Sequence, residues 1–226
     1  MVLVTGGAQG LGASIVKIFA SNGYDVIIGY LNNHDKAIDL CNKVNEKYNV
    51  KCVVNKIDIT SEVNVKKLFD KYNIDIVINN AALSFDNYIE DKSYQEFMNV
   101  VGVNLGGTYL VCKYAKDSKV IINISSRDGI DTYNPISLDY CSSKAGIINF
   151  SQNLSLYYKD KKIYCVCPGW IYTESVSGMN PNYLEDEMNR IGQSELLDKN
   201  YVANKIYDLI NSDLESGSVV IIDEKR

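Results

Sequence analysis

The sequence has one histidine, one tryptophan and three prolines, and no apolar run in it approaches the roughly 20 residues that span a bilayer. With His34 as the single imidazole and no finger-like cysteine spacing, no metal site is expected. The six cysteines (Cys41, Cys52, Cys112, Cys141, Cys165 and Cys167) fall mostly inside apolar segments and read as reduced core thiols. Charge of one sign is never concentrated. Basic residues number 23 and acidic residues 28, for a net charge of −5 without a like-charge block. Nucleic acid and membrane surfaces are therefore not expected partners. Met1 runs straight into Val2-Leu3-Val4-Thr5-Gly6 without a basic, apolar leader, so a cytoplasmic protein is expected. Linkers, repeats and low-complexity tracts are also missing, and 226 residues fit one domain, 1–226.

What is present is a regular alternation. Short, β-branched runs recur at Val2–Val4, Val26–Ile28, Cys52–Ile57, Ile74–Ile78, Val120–Ile124, Ile163–Cys167 and Val219–Ile222. They lack polar alternation, as strands buried on both faces of a parallel sheet do. Between them, Ala37, Cys41, Val44 and Tyr48 make one helical stripe, and Val65, Leu68, Phe69 and Tyr72 make another. Ser93-Tyr94-Gln95-Glu96 is a capping box that opens a long helix. Strand and helix in alternation predict a doubly wound, Rossmann-like α/β fold: about seven parallel strands in a three-layer α/β/α arrangement. The polar stretch 174–200, with Gly178, Pro181 and Gly192, is expected to be irregular and to form a lid.

The first strand ends in Thr5-Gly6-Gly7-Ala8-Gln9-Gly10-Leu11-Gly12, with a helix beginning near Ala13. Glycines permit a tight turn and close approach of a ligand, and a helix N-terminus offers free N–H groups to a pyrophosphate. A second constellation is Tyr140 with Lys144, four residues apart and so on one helix face. The Tyr-x-x-x-Lys pair alone says little here, because it also starts at Tyr88, Tyr109, Tyr157, Tyr158 and Tyr201. Only the Tyr140 copy follows a strand-end serine by one short loop and precedes a strand ending in Pro-Gly.

In this order the motifs resemble the short-chain dehydrogenase/reductase family in its compact single-domain branch, notably its 3-oxoacyl-carrier-protein reductases. The resemblance rests on Thr5-Gly-x-x-x-Gly10-x-Gly12, Asp58-Ile59-Thr60, Asn79-Asn80-Ala81-Ala82, Asn104, Ser125-Ser126, Tyr140-x-x-x-Lys144 and Pro168-Gly169-Trp170-Ile171-Tyr172-Thr173. It is weakest from Glu174 to Ser216. Ala82 stands where the family has glycine. The resemblance implies an NAD(P)-dependent oxidoreductase with the catalytic set Asn104, Ser126, Tyr140 and Lys144. It places Thr5, Gly6, Gln9, Gly10, Leu11 and Gly12 at the cofactor turn, and Asp58 and Ile59 at the adenine. It places Asn80, Ala81 and Ala82 beside the cofactor, and Pro168, Gly169, Ile171 and Thr173 at the nicotinamide end. It also implies a homo-oligomer, dimer or tetramer, and a small carbonyl or alcohol substrate.

The chemistry fits these residue types. Carbonyl reduction needs a hydride on carbon and a proton on oxygen. A free tyrosine, with a pKa of about 10, is a weak base at neutral pH, and a neighbouring ammonium is expected to lower that value. Lys144 can serve that purpose and, by the resemblance, bond the nicotinamide ribose. Ser126 is preferred over Ser125 for holding the substrate oxygen, because the family's serine is the second of an Ile-Ser-Ser triplet. Asn104 is expected to orient a water that resupplies protons through Lys144. An acid ending the second strand would bind a ribose 2′-OH and repel a 2′-phosphate. Here Tyr30 takes that place, followed by Asn32, Asn33, His34 and Lys36, which could bond a phosphate. Gln9 stands where NADP-preferring relatives often carry a cation. NADP is the expected cofactor, with NAD possible. The alternative reading is a non-catalytic dinucleotide-binding sensor on the same fold.

Overall fold

The computed structural model describes residues 1–130 and 132–223. Among them, β1 (Val2–Thr5), β2 (Val26–Tyr30), β3 (Cys52–Lys56), β4 (Ile76–Asn79), β5 (Val120–Ile124), β6 (Lys162–Pro168) and β7 (Val219–Ile222) form one parallel sheet. Its order is β3-β2-β1-β4-β5-β6-β7. The expected doubly wound α/β fold is therefore what the chain adopts. Seven apolar runs supply the seven strands, with ends shifted by a residue or two.

Alternation along each strand assigns the two faces. Val2, Val4, Val26, Ile28, Ile76 and Ile78 pack against α1 (Gly10–Ser21), α2 (His34–Lys47) and α8 (Lys199–Asp208). Leu3, Ile27, Val77 and Ile121 point the other way, toward α3 (Glu62–Lys71), α5 (Thr108–Tyr114) and Phe150 and Leu154 of α6 (Leu138–Tyr157). Each fully buried aliphatic side chain contributes about 1.5–3 kcal/mol relative to exposure, so both faces hold the sheet. No helix of the described residues is long and apolar enough to cross a membrane.

Two departures matter for the site. The helix that the capping box opens starts as α4 (Tyr94–Val101), where Ser93 and Glu96 cap each other as expected. It then widens into a π-helical segment, Gly102–Gly107, before continuing as α5. The segment contains Asn104, and such bulges often mark functional positions. The second departure is within 174–200, part of which is regular. Pro181–Arg190 is a helix, α7, after a short 3₁₀ turn at Val176–Gly178. Asn180 accepts hydrogen bonds from the N–H groups of Asn182 and Tyr183, and Pro181 fills the first helical position, where its missing N–H costs nothing. Leu197 then pairs with Ile171, tying the segment back beside β6.

Candidate active site

Beyond the carboxyl ends of β1 and β4 the chain leaves in opposite directions, to β2 on one side and β5 on the other. A cleft opens at this point of reversal. Its floor is the glycine-rich turn. Gly6 and Gly10 have φ of +61° and +55°, a region other residues rarely adopt. A Cβ on Gly12 would lie 2.3 Å from the Gly6 carbonyl oxygen, so only glycine fits. Helix α1 starts at Gly10 with no side-chain cap and no acid in its first turn, which leaves its N-terminal N–H groups for an anion.

Thr5 braces this turn from beneath. Its hydroxyl accepts hydrogen bonds from the N–H groups of Asn80 (3.0 Å) and Ala81 (3.1 Å). The Asn80 amide donates to the carbonyls of Thr5 (3.0 Å) and Gly6 (3.2 Å). Thr5 is itself buried and lines neither of the cavities described below, and its hydroxyl supports the turn between β1 and β4. Below it, Asn79 donates to Asn123 (2.8 Å), and Asn123 donates to Ser151 (2.9 Å), so buried polar groups join β4, β5 and α6.

The cleft holds a cavity of about 560 Å³ at this end. Gly6, Gln9, Gly10, Leu11, Gly12 and Asn80 line it, as expected, with Tyr30, Asn32, Asn33, Asp58, Ile59, Ala81, Ala82 and Thr173. Tyr30 meets His34 Nδ1 through its hydroxyl at 2.6 Å. Lys36 Nζ donates to Gln9 Oε1 at 3.0 Å, which brings a cation to the turn where the sequence has an uncharged glutamine. Asp58 is held by the N–H (2.9 Å) and hydroxyl (2.7 Å) of Thr60. Sequence reasoning missed Glu174 and Ser175, which form the opposite wall from beyond β6.

A second cavity, of about 310 Å³, adjoins the first and shares Leu11, Asn80, Ala82, Thr173 and Ser175 with it. Ser126, Tyr140, Lys144, Pro168, Gly169 and Ile171 come together here. The other Tyr-x-x-x-Lys copies line neither cavity. Both strand-end serines border it, but their hydroxyls differ. Ser125 donates to the Lys144 carbonyl (2.8 Å), whereas the Ser126 hydroxyl accepts from the Asp128 N–H (3.1 Å) and is the group that pulls the Tyr140 pKa down.

Lys144 is buried and donates to the Ile124 carbonyl at 2.8 Å, with its ammonium 5.3 Å from the centre of the Tyr140 ring. Burial pushes its pKa down to about 8, against a smaller upward pull from Cys165 and Cys167. Tyr140 departs from the expectation of an acidified phenol. Burial first, and then the Asp128 carboxylate, hold it well above the ordinary tyrosine value, and only the Ser126 hydrogen bond pulls the other way.

Asn104 lines neither cavity. Its side-chain oxygen accepts from the Leu83 N–H (2.7 Å), and its amide donates to the Leu83 carbonyl (2.9 Å) and the Ser143 hydroxyl (2.9 Å). Asn104 thereby braces the loop after β4 against α6. Asp128 is a wall residue that sequence reasoning passed over although it lies two residues after Ser126. So are Asp86, Asn134 and Trp170.

Fold and cleft together define a dinucleotide-binding α/β architecture of the Rossmann type. Residues 1–184 match the short chain dehydrogenase family. The chain is 35% identical over 211 residues to a 3-oxoacyl-[acyl-carrier-protein] reductase FabG of Chlamydia muridarum, covering 85% of this chain and 84% of that one. Among solved structures, a 3-oxoacyl-[acyl-carrier protein] reductase with bound NAD from Brucella melitensis superposes with a TM-score of 0.87 at 25% identity, covering 98% of this chain and 88% of that one. ElxO with NADP bound gives a TM-score of 0.85 at 28% identity, covering 98% and 96%. The chain thus belongs to the short-chain dehydrogenase/reductase family of NAD(P)-dependent oxidoreductases. The non-catalytic sensor reading finds no support among these relatives.

Proposed function

We propose that the chain moves a hydride between NAD(P)(H) and a carbonyl or alcohol carbon, with Tyr140 as proton donor or acceptor. The observation that carries this reading is that Ser126, Tyr140 and Lys144 line one cavity, which adjoins the glycine-rich cleft and shares its wall. The bound nicotinamide supplies or takes the hydride. Ser126 holds the substrate oxygen beside the phenol, Tyr140 gives or takes its proton, and Lys144 offers its ammonium from beneath. Asn104 fixes α6, and with it Tyr140 and Lys144, against the loop after β4. A phenol held protonated at neutral pH suits the reduction direction, in which Tyr140 begins as the acid. The FabG relatives make 3-oxoacyl thioesters the first substrates to try.

NADP is the proposed preference. No carboxylate occurs from Gly29 to Asn33, and Lys36 reaches the turn through Gln9. Exposed Tyr94, Met98 and Tyr109 on the α4–α5 flank favour a homo-oligomer, which sedimentation would count. The deciding experiment is Tyr140→Phe. The variant should bind NADPH as the parent does, by fluorescence titration, and lose about 10²–10⁴-fold in kcat for carbonyl reduction. Turnover equal to the parent's on the same substrate would end the proposal.

A further inference from the structure

Asp128, in the wall of the substrate-side cavity, belongs to a charged pair to which the family comparison gives no role. Asp128 lies two residues beyond Ser126, and its own N–H donates to the Ser126 hydroxyl at 3.1 Å. Its Oδ2 lies 3.5 Å from the same hydroxyl. Its Oδ1 receives Arg190 at 2.8 Å and the Thr132 hydroxyl at 3.2 Å. Arg190 is the last residue of α7 and is held there by Glu187, through NH2 at 2.6 Å and Nε at 3.1 Å. Asn134 fixes Glu187 in turn, at 3.0 Å. The Asp128 and Arg190 side chains are 14% and 19% exposed, so solvent screens their charges poorly.

We propose that Asp128 and Arg190 are a positioning pair that tunes proton transfer at Tyr140, the carboxylate holding the phenol protonated and the guanidinium from α7 limiting that hold. The inference rests on Tyr140 being the acid–base group. The charged and titratable groups around the phenol are few. Asp86 faces it from the loop after β4, Asp128 from the loop after β5, and Cys141 and Lys144 from its own helix. From α7, Arg190 reaches Asp128 and Tyr183 bonds Asp86 at 3.1 Å. Asp128 is the strongest of the charged neighbours acting on the phenol. A cation 2.8 Å from that carboxylate cancels much of its field. Because the cation belongs to α7, the seating of this helix and the acidity of Tyr140 are linked.

The test is the pH dependence of kcat/KM for alcohol oxidation, where the phenol must act as base, in the parent, Asp128→Asn, Arg190→Gln and the double variant. Asp128→Asn should move the limb assigned to Tyr140 to lower pH by about one pH unit, the lower end of what a neighbouring charge does. Arg190→Gln should move it upward by removing the cation that screens Asp128. The double variant should fall between the two single variants, because the opposite fields of the carboxylate and the guanidinium at the phenol are removed together. Arg190→Lys keeps the charge and should leave the limb near the parent's, and it serves as the reference if Arg190→Gln melts early with Glu187 unpaired. A merely structural pair would lower kcat/KM at all pH values without moving the limb. Shifts of one sign in both single variants, or none in Asp128→Asn, overturn the proposal. Failure of the underlying reading is distinct, because Tyr140→Phe would then keep its turnover.

Discussion

At the glycine-rich end the cleft is walled by a backbone turn at positive φ and an uncapped helix start, braced from beneath by a threonine and an asparagine bonded to main-chain groups. At the other end it is walled by side chains such as Asp86, Asp128, Asn134, Ser137 and Tyr183, with ion pairs behind them. Lys92 pairs with Asp139 at 2.7 Å, and Arg190 with Asp128 at 2.8 Å. Asp86 takes hydrogen bonds from Ser137 and Tyr183. The first wall suits a ligand whose recognised part, a pyrophosphate, is constant and needs only N–H groups. The second wall can be re-cut by substitution without disturbing the sheet, as a specificity surface requires.

If that contrast is right, the largest stability losses from polar substitutions should fall on the substrate side. Lys92 and Asp139 are 4% and 0% exposed. Lys92 also donates to the Phe85 carbonyl, and Asp139 accepts from the N–H of Tyr140, so the pair ties the loop after β4 to the first turn of α6. Lys92→Met leaves a buried carboxylate without its cation and should cost about 3–5 kcal/mol in denaturant unfolding. The double variant Lys92→Met/Asp139→Leu removes both charges and should regain most of that loss. A Lys92→Met variant as stable as the parent would mean that this wall does not depend on its ion pairs.

The same contrast explains what was legible in the sequence. The strands could be read because a buried parallel strand is a continuous β-branched run, as Val120–Ile124 shows. The glycine turn could be read because its geometry admits one residue type at Gly6, Gly10 and Gly12. The charged wall was not legible. Nothing local marks Lys92 as the partner of Asp139, 47 positions along the chain by the numbering, or Arg190 as the partner of Asp128. Asn104 was legible as a position, but its bracing contacts were not, since they depend on Leu83 and Ser143 meeting at the π-helical segment. Helix α7 carried its start signal in Asn180-Pro181, but its dense polar run masked the helical period.

Lys144 sits where the two walls meet, and the next effect is expected there. Burial lowers its pKa from 10.5 to about 8. Below about pH 8 the ammonium is charged in folded and unfolded chains alike, and the folded chain carries the whole desolvation cost. Between about 8 and 10.5 the folded chain gives up the proton first, and that cost is relieved as pH rises. Lys144→Met should therefore be more stable than the parent at pH 7, by up to roughly 3 kcal/mol at 1.36 kcal/mol per pH unit. Loss of the hydrogen bond to the Ile124 carbonyl subtracts about 1 kcal/mol from that gain. The margin should shrink by pH 10, while turnover is lost throughout. A margin that widens with pH would show that the buried ammonium is not a strained group.

The smallest effect should come from the backbone-walled end, where a side chain adds selectivity to a site made of N–H groups. Lys36 is exposed and bonded to Gln9 at 3.0 Å. Its contribution to a 2′-phosphate is therefore a screened, surface interaction worth about 0–1 kcal/mol. Lys36→Ala should lower kcat/KM for NADPH by no more than about fivefold and leave NADH nearly untouched, so the ratio of the two falls by that factor. The ratio isolates the phosphate, because the pyrophosphate and nicotinamide contacts are common to both cofactors. An equal loss with both would place Lys36 in support of the glycine turn through Gln9 instead, and selectivity would then have to reside in Tyr30, Asn32 and Asn33 alone.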